Sequence, residues 1–199
     1  TLKFRATRDA RKVCGDAMEM RGGIGYIEEF VTPRLLRDAH LGSIWEGTGN
    51  IVAIDALKRA VGRHGADNAL AADLHARLDD SPNVPQAWRN RLRELSDRAI
   101  GFAREVAGRI DNEGDARRAT SLLYHVASAV ALAWEGGRIH EMRGDARRLL
   151  LSRMVVDHRV MPGDPFRLAE NTVQRRMTEH LLGDRAIGMA EVGELLVAA

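Results

Sequence analysis

All-α is the fold class the sequence predicts, on three observations. Aromatic residues are only 5% of a chain that is 45% hydrophobic, so its core must come from aliphatic and small side chains, which suits helix-on-helix packing better than a sandwich of strands. Apolar residues recur at three- and four-residue spacings through most of the 199 positions. The β-branched pair Val155-Val156 is too short to argue for a strand.

The elements follow in order. Residues 2–20 place Phe4, Val13, Ala17 and Met20 at helical spacings, with Gly22-Gly23 as the stop. Gly23, Gly25 and Tyr26-Ile27 make a compact turn. Thr32-Pro33 starts the next helix, with Pro33 at its first position, Leu35, Leu36 and Ala39 facing inward, and Arg34, Arg37 and Asp38 free for polar contacts. Gly42-Ser43 interrupts it. Thr48 or Asn50 caps a helix running to Val61. Residues 66–78 form an alanine-rich amphipathic segment, and 79–85, with Pro82 and Pro85, reads as a linker and soft boundary.

Beyond Pro82 the sequence predicts a bundle of long helices. Trp88, Leu92, Leu95, Ala99, Phe102, Val106 and Ile110 form a seam of alternating fours and threes, broken at 111–115. Residues 116–140 carry a second helix through Leu123, Val126, Val130 and Trp134, with small residues at Ala119, Ala127, Ala131 and Ala133 for close approach. A third spans 144–158, a break follows at 161–165, and helices at 168–182 and 186–197 close the chain. The expected organisation is a first domain over 1–65 and a helical-bundle domain over 66–199.

Charge narrows the function classes. The net charge is +2, and Lys accounts for only three of the 30 basic residues. Residues 1–65 carry a net +3 and residues 66–199 a net −1, so a polyanion would have to be bound by charge segregated to one face. Arg89, Arg91, Arg93 and Arg98, with Arg143, Arg147 and Arg148, are a candidate phosphate-facing stripe. Glu94, Asp97 and Asp145 on the same helices favour locally paired faces instead. The single Cys14 excludes an internal disulfide and suits a reducing, cytoplasmic compartment. No membrane span is expected. The seven histidines lack metal-ligand spacing, and His140-Glu141 lacks the rest of an HExxH motif, so no metal is expected. The opening at Thr1, without Met and already in helical register, points to a piece of a longer polypeptide.

The chemistry concentrates in Trp45-Glu46-Gly47-Thr48-Gly49. A carboxylate desolvated beside Ile44 and Trp45 is a stronger base than a hydrated one. Gly47 and Gly49 let a planar ligand approach the backbone, and the Thr48 hydroxyl can hold a ring nitrogen or carbonyl. On the residues alone Glu46 reads either as a capping or surface acid or as a base beside an activated carbonyl. Gly22-Gly23-Ile24-Gly25 follows a helix and lacks a Lys-Ser/Thr ending, so it is neither a dinucleotide fingerprint nor a P-loop.

Taken together, RGGIGYIEE…TPRLLRDAHLGSIWEGTGNIVAIDALKR, over about residues 1–62, resembles the end of an acyl-CoA dehydrogenase. It is similar to the AidB-like (adaptive response, isovaleryl-CoA dehydrogenase-like) branch, in which Trp precedes the catalytic-position Glu and GN follows it. The resemblance implies the C-terminal helices of that fold followed by the branch's extra antiparallel helical bundle over 66–199. It implies FAD as cofactor, an acyl-CoA substrate, a separate electron acceptor, and a homodimer or homotetramer. It places Glu46 as the base that removes the α-proton of the thioester while flavin N5 takes the β-hydrogen as hydride. Trp45, Gly47 and Thr48 then lie by the flavin, and Gly22, Gly23 and Gly25 approach the FAD of a neighbouring subunit. Arg37-Asp38 matches a pair that fixes the site's architecture. Two residues depart from the pattern. Glu19 stands where Gln is common, adding a negative charge on the adenylate side that Arg21 would have to offset, and Trp45 replaces a frequent Tyr. The family's N-terminal helical and middle β-domains have no counterpart in these residues, so the chain alone is expected to be inert and to hold FAD weakly. The branch also implies a rival reading, a module binding duplex DNA under alkylation stress; a third reading of the chain is a module that only drives oligomerisation.

Overall fold

The computed structural model describes residues 1–109, 113–164, 166 and 172–197. Among the described residues every regular element is helical. Helix α1 (Leu2–Met20) ends where Gly22 takes a φ of 59° with a ψ of −142°, a combination that suits only a residue without a Cβ. A single turn, α2 (Gly23–Tyr26), leads to α3 (Thr32–Leu41), α4 (Gly49–Asp55), α5 (Ala66–Asp79), α6 (Gln86–Gly108), α7 (Glu113–Arg143), α8 (Arg148–Val155), α9 (Thr172–Leu182) and α10 (Met189–Val197).

The helices expected at 144–158 and 186–197 start later, at Arg148 and Met189, and the one expected at 116–140 is longer at both ends. Ile110, Asp111, Asn112, Pro165 and residues 168–171 lie outside the described residues. Helices α4 and α8 each run on into π-helical turns, Ala56–Val61 and Val156–Val160. Their signature is bonding five residues back, as in Gly62 N–H to Leu57 O at 2.8 Å and Met161 N–H to Val156 O at 2.8 Å.

The chain folds as two compact units, residues 1–65 with 103–124 and residues 66–102 with 125–199. The loop at 79–85 lies inside the second unit.

In the first unit α1 packs on α2, α3 and α4. Phe4, Ala53, Leu57, Ala103, Ala119 and Leu123 are buried, and the Thr120 hydroxyl donates to Ala53 O at 3.4 Å. The apolar stripe of α1 is mostly bare: Leu2, Val13 and Met20 are exposed, as are Ile24, Tyr26 and Ile44 further on. In α3, Leu35 is exposed rather than inward. The buried face is set by Thr32 and Pro33 and continues through half-buried Leu36 and Ala39. Leu35 sits about 100° around the helix from Leu36.

The second unit has the denser core. Trp88, Leu92, Leu95 and Ala99 of the expected seam are buried with Val126, Val130, Leu149 and Leu150. Asn83 donates to Gly137 O at 2.9 Å, setting the start of α6 beside the end of α7, so the two run antiparallel. A buried chain of hydrogen bonds joins three helices: Trp88 Nε1 donates to Ser152 Oγ at 3.2 Å, and Ser152 donates to Ala129 O at 2.7 Å. Each such bond contributes about 1 kcal/mol, and more is lost if one partner is left orphaned. Helix α10 lies beside α8 in the same sense. Ala146 N–H bonds Ile187 O at 2.8 Å, and about two turns later Arg153 donates to Leu195 O.

Candidate functional site

The Glu46 loop is held from below by α1. Glu46 has a φ of 52°, the one positive value at a non-glycine among the described residues, and Gly47 follows at 101°. Two consecutive left-handed residues turn the chain sharply between α3 and α4. A Cβ makes that conformation cost roughly 1–2 kcal/mol. What holds it is Lys3, whose ammonium donates to Trp45 O at 2.7 Å and Gly47 O at 3.3 Å, the carbonyls on either side of Glu46. Phe4, 2% exposed, anchors the same face. A Cβ on Gly49 would stand 3.6 Å from the Phe4 ring and 3.4 Å from Arg8 Nη1.

Glu46 itself is exposed and makes no hydrogen bond or ion pair with the described residues. The desolvation expected from its neighbours is not supplied here, since Ile44 and Trp45 are 62% and 57% exposed. The glycines have reasons of their own: Gly47 answers a positive φ and faces Ile51 and Val52, while Gly49 lies against Phe4. Thr48 occupies the N-cap of α4 in extended backbone, without a capping bond from its hydroxyl.

At the other end of α1, a Cβ on Gly25 would fall 2.2 Å from Met18 O, so that position admits only glycine. Gly22 and Gly23 have open space where a Cβ would project, and Glu19 is exposed. Arg21 is not set against Glu19; its guanidinium donates to the Thr32 hydroxyl at 3.2 Å. Arg37 does not pair with Asp38. It grips Glu28 through both terminal nitrogens, at 2.6 and 3.1 Å, and so holds the Glu28 carboxyl below the usual carboxylate range, while Asp38 pairs with Arg34 at 3.7 Å.

The arginine stripe of the second unit is largely engaged within the protein. Arg91 and Arg98 pair with Glu94, Arg93 with Asp79, Arg147 with Asp145 and Arg148 with Glu135. Arg89 donates to Val84 O and Gln86. Of the seven, Arg143 alone has no acceptor among the described residues. Locally paired helix faces describe this stripe better than a phosphate track. Two histidines face a single carboxylate each, His75 with Asp97 and His180 with Glu191, and no group of three metal-type ligands occurs among the described residues. No helix there is long and apolar enough to cross a membrane.

Comparison with known proteins bears on the first unit above all. Residues 1–62 match the family described as acyl-CoA dehydrogenase, C-terminal domain. A stretch of 56 residues, 28% of the chain, is 46% identical to the putative acyl-CoA dehydrogenase AidB of Escherichia coli strain K12, covering 10% of that protein. The acyl-CoA dehydrogenase family member 11 of Caenorhabditis elegans is 26% identical over 155 residues, 73% of this chain and 24% of the relative. The acryloyl-CoA reductase (NADH) of Anaerotignum propionicum is 36% identical over 61 residues, 29% of the chain and 16% of that protein. The matched stretches thus span between a tenth and a quarter of these curated relatives. No solved structure matches the chain.

Proposed function

We propose that this chain is the C-terminal part of an FAD-dependent acyl-CoA dehydrogenase-like oxidoreductase of the AidB-like branch, and that Glu46 is its base. The observation that carries the reading is an unengaged carboxylate fixed in left-handed backbone by two hydrogen bonds from Lys3. A surface acid without a task gains nothing from that conformation. The match over residues 1–62 supports the same reading.

The residues fit a flavin at their surface without enclosing one. Trp45 and Thr48 are exposed, and the backbone at Gly22 and Gly23 is open to close approach. When bound, the flavin supplies the hydride acceptor. The chain's own part is to hold the Glu46 carboxylate where it takes the α-proton of an acyl-CoA thioester, and to present Trp45 against the acyl chain. Enclosure, and with it the desolvation that strengthens the base, comes from other parts of the polypeptide. The bare apolar residues of α1 and of 24–45 support this, being more than a free surface needs. A homodimer or homotetramer and an external electron acceptor complete the proposed enzyme.

The test uses the whole polypeptide that contains this chain, loaded with flavin. Acyl-CoA bleaches the flavin absorbance in the parent, and Glu46→Gln slows bleaching by at least about a hundredfold. Bleaching at the parental rate in the variant removes Glu46 from the role of base. The chain by itself is expected to retain no stoichiometric flavin and to show no turnover.

A further inference from the structure

Arg8, Arg11 and Arg117 of the first unit find no acceptor for their guanidinium groups among the described residues. Arg8 and Arg11 stand one turn apart on α1, and Arg117 lies on α7. None makes an ion pair with a described carboxylate, and Arg11 Nε is buried without any hydrogen-bond partner. Arg8 lies against the ring of Phe4, 5.7 Å from its centroid, and beside Gly49. Thr120, three residues beyond Arg117 on the same face of α7, bonds Ala53 O one turn beyond Gly49, so α1, α4 and α7 meet here. Asp9, the described acid that acts on Arg8, is already gripped by Arg5 at 2.7 and 3.3 Å. Burial and the positive neighbours Arg117, Arg11 and Arg5 hold Arg8 below its ordinary value against the pull of Asp9. Assembling three cations with no free counterion among the described residues is unfavourable, and an anion at their centre removes the cost.

We propose that Arg8, Arg11 and Arg117 form a binding site for the phosphate or diphosphate group of a small ligand. A carboxylate offers two oxygens in one plane, whereas a phosphate offers three or more around a tetrahedron and carries up to two charges, which suits guanidinium forks arriving from two helices. A nucleic acid would need a longer run of free cations, and the other arginine stripe, Arg143 apart, is paired within the protein. The site is independent of the role given to Glu46, because its readout is binding rather than turnover.

Titration calorimetry of this chain with inorganic pyrophosphate, at fixed ionic strength in chloride, tests it. The native chain binds saturably. Arg117→Gln, on an exposed position that leaves the fold alone, weakens binding about tenfold or more, the loss expected for one charge-assisted hydrogen bond. Arg8→Lys keeps the charge but not the fork and gives a smaller loss. Arg63→Gln, at an exposed arginine of the same unit outside the cluster, changes nothing. ADP binding more tightly through the same arginines identifies a nucleotide as the source, and equal affinity identifies the diphosphate alone. The proposal is overturned by absence of saturable binding, by equal losses in Arg63→Gln and Arg117→Gln, or by duplex DNA binding that pyrophosphate does not displace.

Discussion

Lys3 reaches across 42 residues of sequence to set its ammonium 2.7 Å from the carbonyl oxygen of Trp45. With its second contact at Gly47 O, it spans the residue proposed as base. Lys3→Met leaves the aliphatic stem and removes both donations. Amide exchange over residues 45–49 then rises about fivefold, for a loss near ~1 kcal/mol at this exposed site, while global unfolding hardly moves. Hydrogen exchange followed by mass spectrometry reads this directly. Unchanged exchange in the loop means that Lys3 does not hold it.

Glu46 separates conformation from chemistry. Its φ of 52° favours Gly or Asn over any other replacement. Glu46→Asn is expected within about 0.5 kcal/mol of the native stability, and Glu46→Val loses about 1–2 kcal/mol through its branched Cβ. Both remove the carboxylate. Urea unfolding of the two variants checks the strain, and equal stabilities argue that the loop relaxes freely.

The glycines after α1 are unequal. Gly25→Ala puts a methyl 2.2 Å from Met18 O and 3.0 Å from Arg21 Cβ, and the turn must open at a cost of about 1–3 kcal/mol. Gly23→Ala meets nothing within 4 Å and needs no positive φ, so it is neutral or slightly stabilising. Thermal melts of the two variants should differ by several degrees; matching melts mean the turn opens without cost.

Asp145 links the start of α8 to the approach of α10. Partial burial pushes its carboxyl up, but the N–H groups of Arg147 and Ile187 and the Arg147 guanidinium outweigh this, and its pKa lies below the ordinary range. A lowered folded-state value stabilises above the unfolded carboxylate's pKa, and the contribution is lost as pH falls through the folded value. The stability gap between native chain and Asp145→Asn is therefore widest near neutrality and narrows in acid. A gap that stays constant from neutral to acid pH shows that the carboxylate charge is not what matters there.

Much of this was legible in the sequence. The end of α1 is written in Gly22, and the α6 seam from Trp88 to Val106 is buried as its spacing implies, Phe102 only partly. Other features were hidden for physical reasons. A hydrophobic period of 3.6 does not distinguish the last turns of an α-helix from π-helical ones, so residues 56–61 and 156–160 gave no warning. Periodicity reports an apolar stripe but not what covers it, and Val13 and Met20 are bare. Gly136 and Gly137 lie inside α7, where glycine costs helix stability. In the structure they let neighbours approach closely: a Cβ at 136 would meet the Leu149 side chain at 2.2 Å and one at 137 the Asn83 side chain at 2.7 Å, so each would have to shift. Within the candidate site, the acid and its glycines were visible as a motif. The strap from Lys3 was not, since no local pattern announces a contact between a helix's first turn and a loop so far along the chain.

The first unit draws on two separate lengths of chain, 1–65 and 103–124. A cut after Gly65 would therefore strip Ala53 of Thr120 and leave the Glu46 loop on an unfinished platform. Anyone transplanting this segment onto another scaffold would have to carry residues 103–124 with it, or splice in a substitute for them.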